Sequence, residues 1–234
     1  MRFPTLLFRS TVCVVAIVLG TTSRADTPEP AIMARINTAR QLVREGKLSE
    51  ALDQFINPTI AEFQAKYGGS TRRVYCANGS VETLMYMVKA VSEKQDAIAV
   101  DAGYAQAYFM KGYILVEQHQ VQQAFESLSK AVELSPNNPQ FLCELANLFQ
   151  SQHEWTKTME LYERAADSAP IFDGKGGTFY QRRALRGKAY VLVEIHKIDE
   201  AKKLYQRCLE LDPKDRTATD ELQYIADLRS KNAK

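Results

Sequence analysis

One spacing constrains this chain more than its composition does. In a unit of 34 residues counted from Ala105, Gly112, Ala124, Leu128, Ala131 and Pro136 take positions 8, 20, 24, 27 and 32. The unit from Pro139 places Ala146, Thr158, Tyr162, Ala165 and Pro170 there, and the unit from Arg182 places Ala189, Ala201, Tyr205, Cys208 and Pro213. Self-similarity at this period means stacked helical hairpins, each helix pair burying a face that it cannot cover alone. Small residues at positions 8, 20 and 27 let helices approach to about 8–10 Å. Position 24 is the large knob, and the proline at 32 stops the second helix, whose interior cannot accept it.

The three histidines of the chain give an independent check. His119, His153 and His196 all fall at position 15, the turn between the two helices of a unit. A residue ending a helix there adopts a left-handed backbone, which His tolerates better than most side chains. Equivalent positions in stacked repeats lie about 10 Å apart, too far for shared ligation through bonds of about 2 Å. The histidines are therefore expected to be turn residues, and no metal site is expected.

The N-terminus is a separate device. Arg2 and Arg9 precede an apolar run from Thr11 to Leu19, and Ser23-Arg24-Ala25 offers small residues before a cut at Asp26. Residues 1–25 read as a secretory signal peptide, with an uncleaved N-terminal anchor as the alternative. Their removal takes away three arginines and no acid, so the formal charge falls from +2 to −1. Nucleic-acid binding has no support from such a charge. After cleavage no stable membrane insertion is expected.

Residues 26–31 are a polar lead-in. Residues 32–104 read as degenerate repeats: Ala39, Leu42, Ala51 and Phe55 match positions 8, 11, 20 and 24, and Asn57-Pro58 breaks the pattern. From Thr71 a further unit has Ala90, Ala97 and Ala102 at positions 20, 27 and 32. Its first half, Arg72 to Gly79, reads as irregular, and Ser80 caps one helix to about Val100 with Val81, Leu84, Met85 and Val88 on one face. The full units are 105–138, 139–172 and 182–215. Residues 173–181 read as a loop insertion, since Asp-Gly-Lys-Gly-Gly is loop composition without phosphate-loop spacing. Within 216–234, Thr217 to Lys231 reads as an amphipathic helix closing the open end.

No catalytic constellation emerges: there is no nucleophile elbow and no paired-histidine zinc motif. The expectation is a non-enzyme without cofactor. Cys76, Cys143 and Cys208 remain after cleavage, an odd number, so at least one thiol is unpaired or pairs between molecules.

From Tyr104 to Pro136 and in the two successor units, the chain resembles tetratricopeptide repeat (TPR) proteins of an exported bacterial type, clearly over 105–215 and more weakly over 32–104. The resemblance implies an all-α solenoid, a right-handed superhelix of stacked hairpins whose first helices line a concave groove for a peptide or helix of another protein. Positions 2, 5, 9 and 12 commonly make the contacts. Here they are Gln106, Phe109, Tyr113 and Val116, then Gln140, Cys143, Asn147 and Gln150, then Arg183, Arg186, Tyr190 and Val193. Aromatics and arginine are the usual interface anchors; Asn147 suits a peptide backbone and the arginines suit carboxylates. The alternative is that a neighbouring helix covers these residues. The carboxylate-clamp pattern is matched only by Asn147. The implied function is an exported scaffold, periplasmic if the source is a Gram-negative bacterium, with a protein partner from the cell envelope. A self-associating structural component of the envelope, hence a homo-oligomer, is the second reading.

Overall fold

A computed structural model describes residues 30–171 and 175–232; the expected signal peptide and its cleavage site lie outside them. Eleven helices are described: α1 (Pro30–Arg44), α2 (Leu48–Ala51), α3 (Asn57–Tyr67), α4 (Ser80–Ser92), α5 (Ala102–Glu117), α6 (Val121–Leu134), α7 (Pro139–Ser151), α8 (Trp155–Ser168), α9 (Lys175–Glu194), α10 (Ile198–Leu211) and α11 (Arg216–Asn232). Three hairpins, α5–α6, α7–α8 and α9–α10, stack in order, and α11 packs on α10 at the end. At the other end α1 packs on α2 and α5.

The register explains the packing. Ala124, Leu128, Ala131, Ala146, Tyr162, Ala165, Ala189, Ala201, Tyr205 and Cys208 are all buried. At Gly112 even a methyl group would press on Leu128 and the Ala124 carbonyl, which is why the smallest residue stands there. The three histidines end their helices at φ of 60°, 58° and 61°. Each is followed by a backbone bond reaching five residues back, such as Gln120 N–H to Leu115 O at 2.8 Å, which satisfies an end carbonyl. Gly46 and Lys94 make the same turn at φ of 76° and 54°.

At three places the local structure goes beyond or against the sequence expectation. First, Asn57-Pro58 breaks the repeat pattern without breaking the helix. A π turn at Leu52–Ile56 joins α2 to α3, and Asn57 N–H reaches Leu52 O. The wider turn places Pro58 in the first turn of α3, where its missing N–H leaves no donor wanting. Secondly, the unit at 71–104 is not a helical repeat. Arg73–Ala77 forms β1 and Ala97–Asp101 forms β2, a parallel two-stranded sheet joined through α4, which ends at Ser92 rather than near Val100. The left-handed turn at Lys94 ends that helix, and Gln95 N–H closes it on Ala90 O. Tyr75, Tyr86 and Ala90 make a small core between α4 and the sheet, the two rings stacked 5.0 Å apart. The Ser135 hydroxyl donates to Cys76 O at 2.6 Å and ties β1 to the end of α6. Thirdly, the described part of 173–181 is helix, not loop: α9 begins at Lys175. Gly176 and Gly177 fall in its first turn, where no intrahelical N–H bond is at stake.

The C-terminal helix spans the expected residues and buries Ala218 and Ile225 against Ala189, Leu192, Ala201 and Tyr205. Its first turn is anchored by Asp215, whose carboxylate accepts from Ala218 N–H and from Arg182 and Arg186 of α9.

Candidate functional site

The groove positions predicted from the register sit on α5, α7 and α9, and the structure divides them into three groups. Tyr113, Val116 and Tyr190 are 39%, 37% and 39% exposed, while the neighbouring Gly112, Leu115 and Ala189 are buried. They are large apolar side chains left open on helices whose other faces form the core. Gln106 and Gln140, both at position 2, are half-buried.

A second group has internal partners. The Tyr162 hydroxyl donates to Asn147 Oδ1 and to Gln150 Oε1, and Asn147 Nδ2 donates to Glu144. Arg183 pairs with Glu144 at 2.8 Å. Arg186 pairs with Asp215 at the head of α11. The arginines do bind carboxylates, but those of this chain.

The third group lies inside. Phe109 is buried and stacks on Phe141 of the next hairpin, centroids 4.9 Å apart and planes 21° apart. Cys143, expected to face the groove, is also fully buried, and burial pushes its thiol up to about 12. Cys76 and Cys208 are free and buried as well. Position 5 is therefore a contact between successive first helices here.

Gln106 and Gln140 line one cavity of about 190 Å³ with Asn78, Glu82, Asn138, Phe141 and Tyr180 among others. The regular repeats supply the glutamines, Asn138 and Phe141; the segments outside them supply Asn78, Glu82 and Tyr180. Glu82 stands in the first turn of α4, where its carboxylate accepts from Asn78 N–H and the Tyr86 hydroxyl. Burial raises its pKa, and those two donors only partly offset this. Tyr180 comes from the extra N-terminal turns of α9. Asn78 and Tyr180 were not singled out from the sequence because they fall in segments read as irregular and as a loop; Glu82 fell in the helix read from Ser80, but only its apolar face was singled out. A cavity ringed by amides, a hydroxyl and one carboxylate can hydrogen-bond an extended backbone or a polar side chain.

A larger cleft of about 440 Å³ opens between α3, β1, α5 and α6, lined by Gln64, Tyr67, Arg72, Arg73, Tyr108 and Lys130 among others. Arg73 and Lys130 share Glu133, and Arg72 pairs with Asp96. Among the described residues, no group of three or more His, Cys, Asp or Glu is placed to hold a metal ion. No described helix is long and apolar enough to cross a membrane.

Family models of the TPR repeat match residues 112–152 and 183–215. No curated protein sequence matches the chain. Among solved structures, the MamA RS-1 ArsTM double mutant superposes with a TM-score of 0.54 over 86% of this chain and 85% of its own, at 13% identity. The first TPR of Spaghetti (RPAP3) bound to an HSP90 peptide covers 56% of this chain and 97% of its own, at 23% identity and a TM-score of 0.48. The N-terminal domain of STI-1 from C. elegans covers 53% and 96%, at 16% identity and 0.48. At these identities the likeness concerns the fold alone. The chain carries tetratricopeptide repeats and folds as an all-α TPR solenoid, with one strand–helix–strand insertion between its first hairpin and the three regular ones.

Proposed function

We propose that this chain is an exported, non-catalytic adaptor that holds a peptide or helix of a cell-envelope protein along α5, α7 and α9. One observation carries the reading: Gln106 and Gln140, equivalent positions of successive repeats, line a single cavity. Two amides offered to one space suit the alternating donors and acceptors of a peptide backbone. The open Tyr113, Val116 and Tyr190 of α5 and α9 supply apolar contact. The contact set is therefore amide and aromatic. Phe109, Arg183 and Arg186 belong to the scaffold, since each has its partner within the fold. Export rests on Arg2, Arg9, the run Thr11–Leu19 and Ser23-Arg24-Ala25.

The test is site-specific photocrosslinking from position 113 in cell-envelope extract, with and without Gln106→Ala and Gln140→Ala. One adduct, lost in the double variant while its helical circular dichroism is unchanged, supports the groove. Identical adducts from both proteins, or from an outward control position such as Glu126, overturn it. N-terminal sequencing of the mature protein tests export: a start at Asp26 supports cleavage, and a start at Met1 refutes it.

A further inference from the structure

Among the described residues, the four most exposed large apolar side chains sit on one 13-residue helix: Val81, Leu84, Val88 and Val91 of α4, at 62%, 65%, 60% and 78%. They stand opposite Glu82, Tyr86 and Ala90, the face that packs on the sheet. The helix is thus apolar on both sides, which in a globular fold marks a helix covered on both sides. Among the described residues only one side is covered.

The spacing of the outward face is 3–4–3. It places Val81, Leu84, Val88 and Val91 at successive a and d positions of two heptads, the narrow seam of a paired helix rather than the broad face of a core helix. Met85 and Met87 flank it. The seam carries no charge: Glu82 turns inward, and Lys89 and Glu93 are paired with each other.

We infer that the outward face of α4 pairs with α4 of a second copy of this chain, the two helices antiparallel about a two-fold axis between Leu84 and Val88. Under that axis Val81 meets Val91 of the second copy and Leu84 meets Val88, so the seam is complementary to itself. An uncharged seam gives two copies no repulsion to overcome and offers a charged partner nothing to pair with. The patch is a few hundred Å², at the upper end for a monomer and about half of the ~800 Å² that each partner gives a standard stable interface. The dimer is therefore weak and concentration-dependent. This face lies on the inserted unit, away from Gln106 and Gln140, so the inference stands apart from the groove reading.

Mass is measured by analytical ultracentrifugation of the purified protein over a wide concentration range, alongside Leu84→Glu and Val88→Glu. Both positions are open to solvent, so the variants should keep the helical signal of the wild type. The expected result is a rise from one copy to two with concentration, weakened at least tenfold in each variant. Orientation is read by disulfide trapping, because Cys76, Cys143 and Cys208 are buried and do not compete. Mixed Leu84→Cys and Val88→Cys proteins should trap as the heterodimer, and Leu84→Cys alone should trap poorly. A single-copy mass at every concentration overturns the inference. So does a dimer unaffected by both glutamates, or Leu84→Cys trapping with itself as readily as with Val88→Cys. Loss of binding to phospholipid vesicles in Leu84→Glu, with the protein always single, would give the face to lipid instead and equally overturn it.

Discussion

Replacing Asp215 should undock the C-terminal end of the solenoid. Its side chain is 2% exposed and lies against Arg182 and Arg186, whose side chains are 16% and 21% exposed. It also caps α11 by accepting from Ala218 N–H at 3.1 Å. Two effects superpose in Asp215→Ala. Loss of the cap costs about 1 kcal/mol. Loss of the carboxylate leaves the largely covered Arg186 guanidinium without its partner, while Arg182 keeps Asp212 at 2.9 Å; breaking a buried pair costs about 3–5 kcal/mol, and the remaining pair and the residual exposure of the arginines put this case at about 2. The sum is about 3 kcal/mol, read from urea unfolding. Asp215→Asn keeps an acceptor at the cap and removes only the charge, so it should cost about 2 kcal/mol. Because each repeat contacts only its neighbours, hydrogen exchange should accelerate in α11 and α10 while α5 to α7 stay protected. Acidity gives a further check. Burial acts to raise the Asp215 pKa, but Ala218 N–H, Arg186 and Arg182 together hold it below the usual carboxylate value. Its contribution is then complete above the unfolded-state value, about 3.9, and fades as pH falls through the lower folded-state value. Below about pH 4 the gap between wild type and Asp215→Asn should close. Equal losses for the alanine and asparagine variants, or a loss under about 1 kcal/mol for alanine, would refute the reasoning.

Three other outcomes follow from the packing. A methyl group at Gly187 would overlap the Tyr162 ring, so Gly187→Ala should force α9 off α8 and cost about 2 kcal/mol in thermal unfolding; an unchanged melting temperature contradicts that contact. The Tyr162 hydroxyl bridges Asn147 and Gln150, and Tyr162→Phe should cost about 1–2 kcal/mol by leaving them unpaired; a neutral result would mean that these amides are satisfied elsewhere. Burial pushes the Cys143 thiol up to about 12 and the Cys208 thiol up to about 11. A disulfide reagent at pH 8 should therefore label Cys76, Cys143 and Cys208 slowly in the native protein and all three at once in urea, whereas fast native labelling of these positions would show the thiols to be accessible.

The register was legible because each of its positions answers a local demand that repeats. A small residue at 112, 146 and 189, a knob at 128, 162 and 205, and a left-handed histidine at 119, 153 and 196 each do one job three times. Coincidence at one unit cannot imitate that. Where the unit occurs once, coincidence can: Ala90, Ala97 and Ala102 fit the small positions of a hairpin, yet Ala97 lies in a strand. The missed signal was a pair of short apolar runs, Arg73–Ala77 and Ala97–Asp101, separated by a helix-length segment and a turn, the layout of a parallel crossover. The groove positions divide for a different reason. Periodicity says which way a side chain points from its own helix, and Tyr113 and Tyr190 stand open. It does not say what a neighbouring repeat or a non-repeating segment brings against it: Phe141 on Phe109, Glu144 on Arg183 and Asp215 on Arg186.

Those non-repeating segments also tie the two surfaces of this protein together. α4 buries Tyr86 against the sheet, places Glu82 beside Gln106 and Gln140, and turns Val81, Leu84, Val88 and Val91 outward. One 13-residue helix thus borders the cavity of the groove on one side and forms the uncharged seam on the other. After the left-handed turn at Lys94 the chain enters β2, which pairs with β1 on the Tyr86 face of α4, so among the described residues this unit lays nothing over the seam. The insertion is the point at which a repeat scaffold acquires a surface that the repeat itself does not encode.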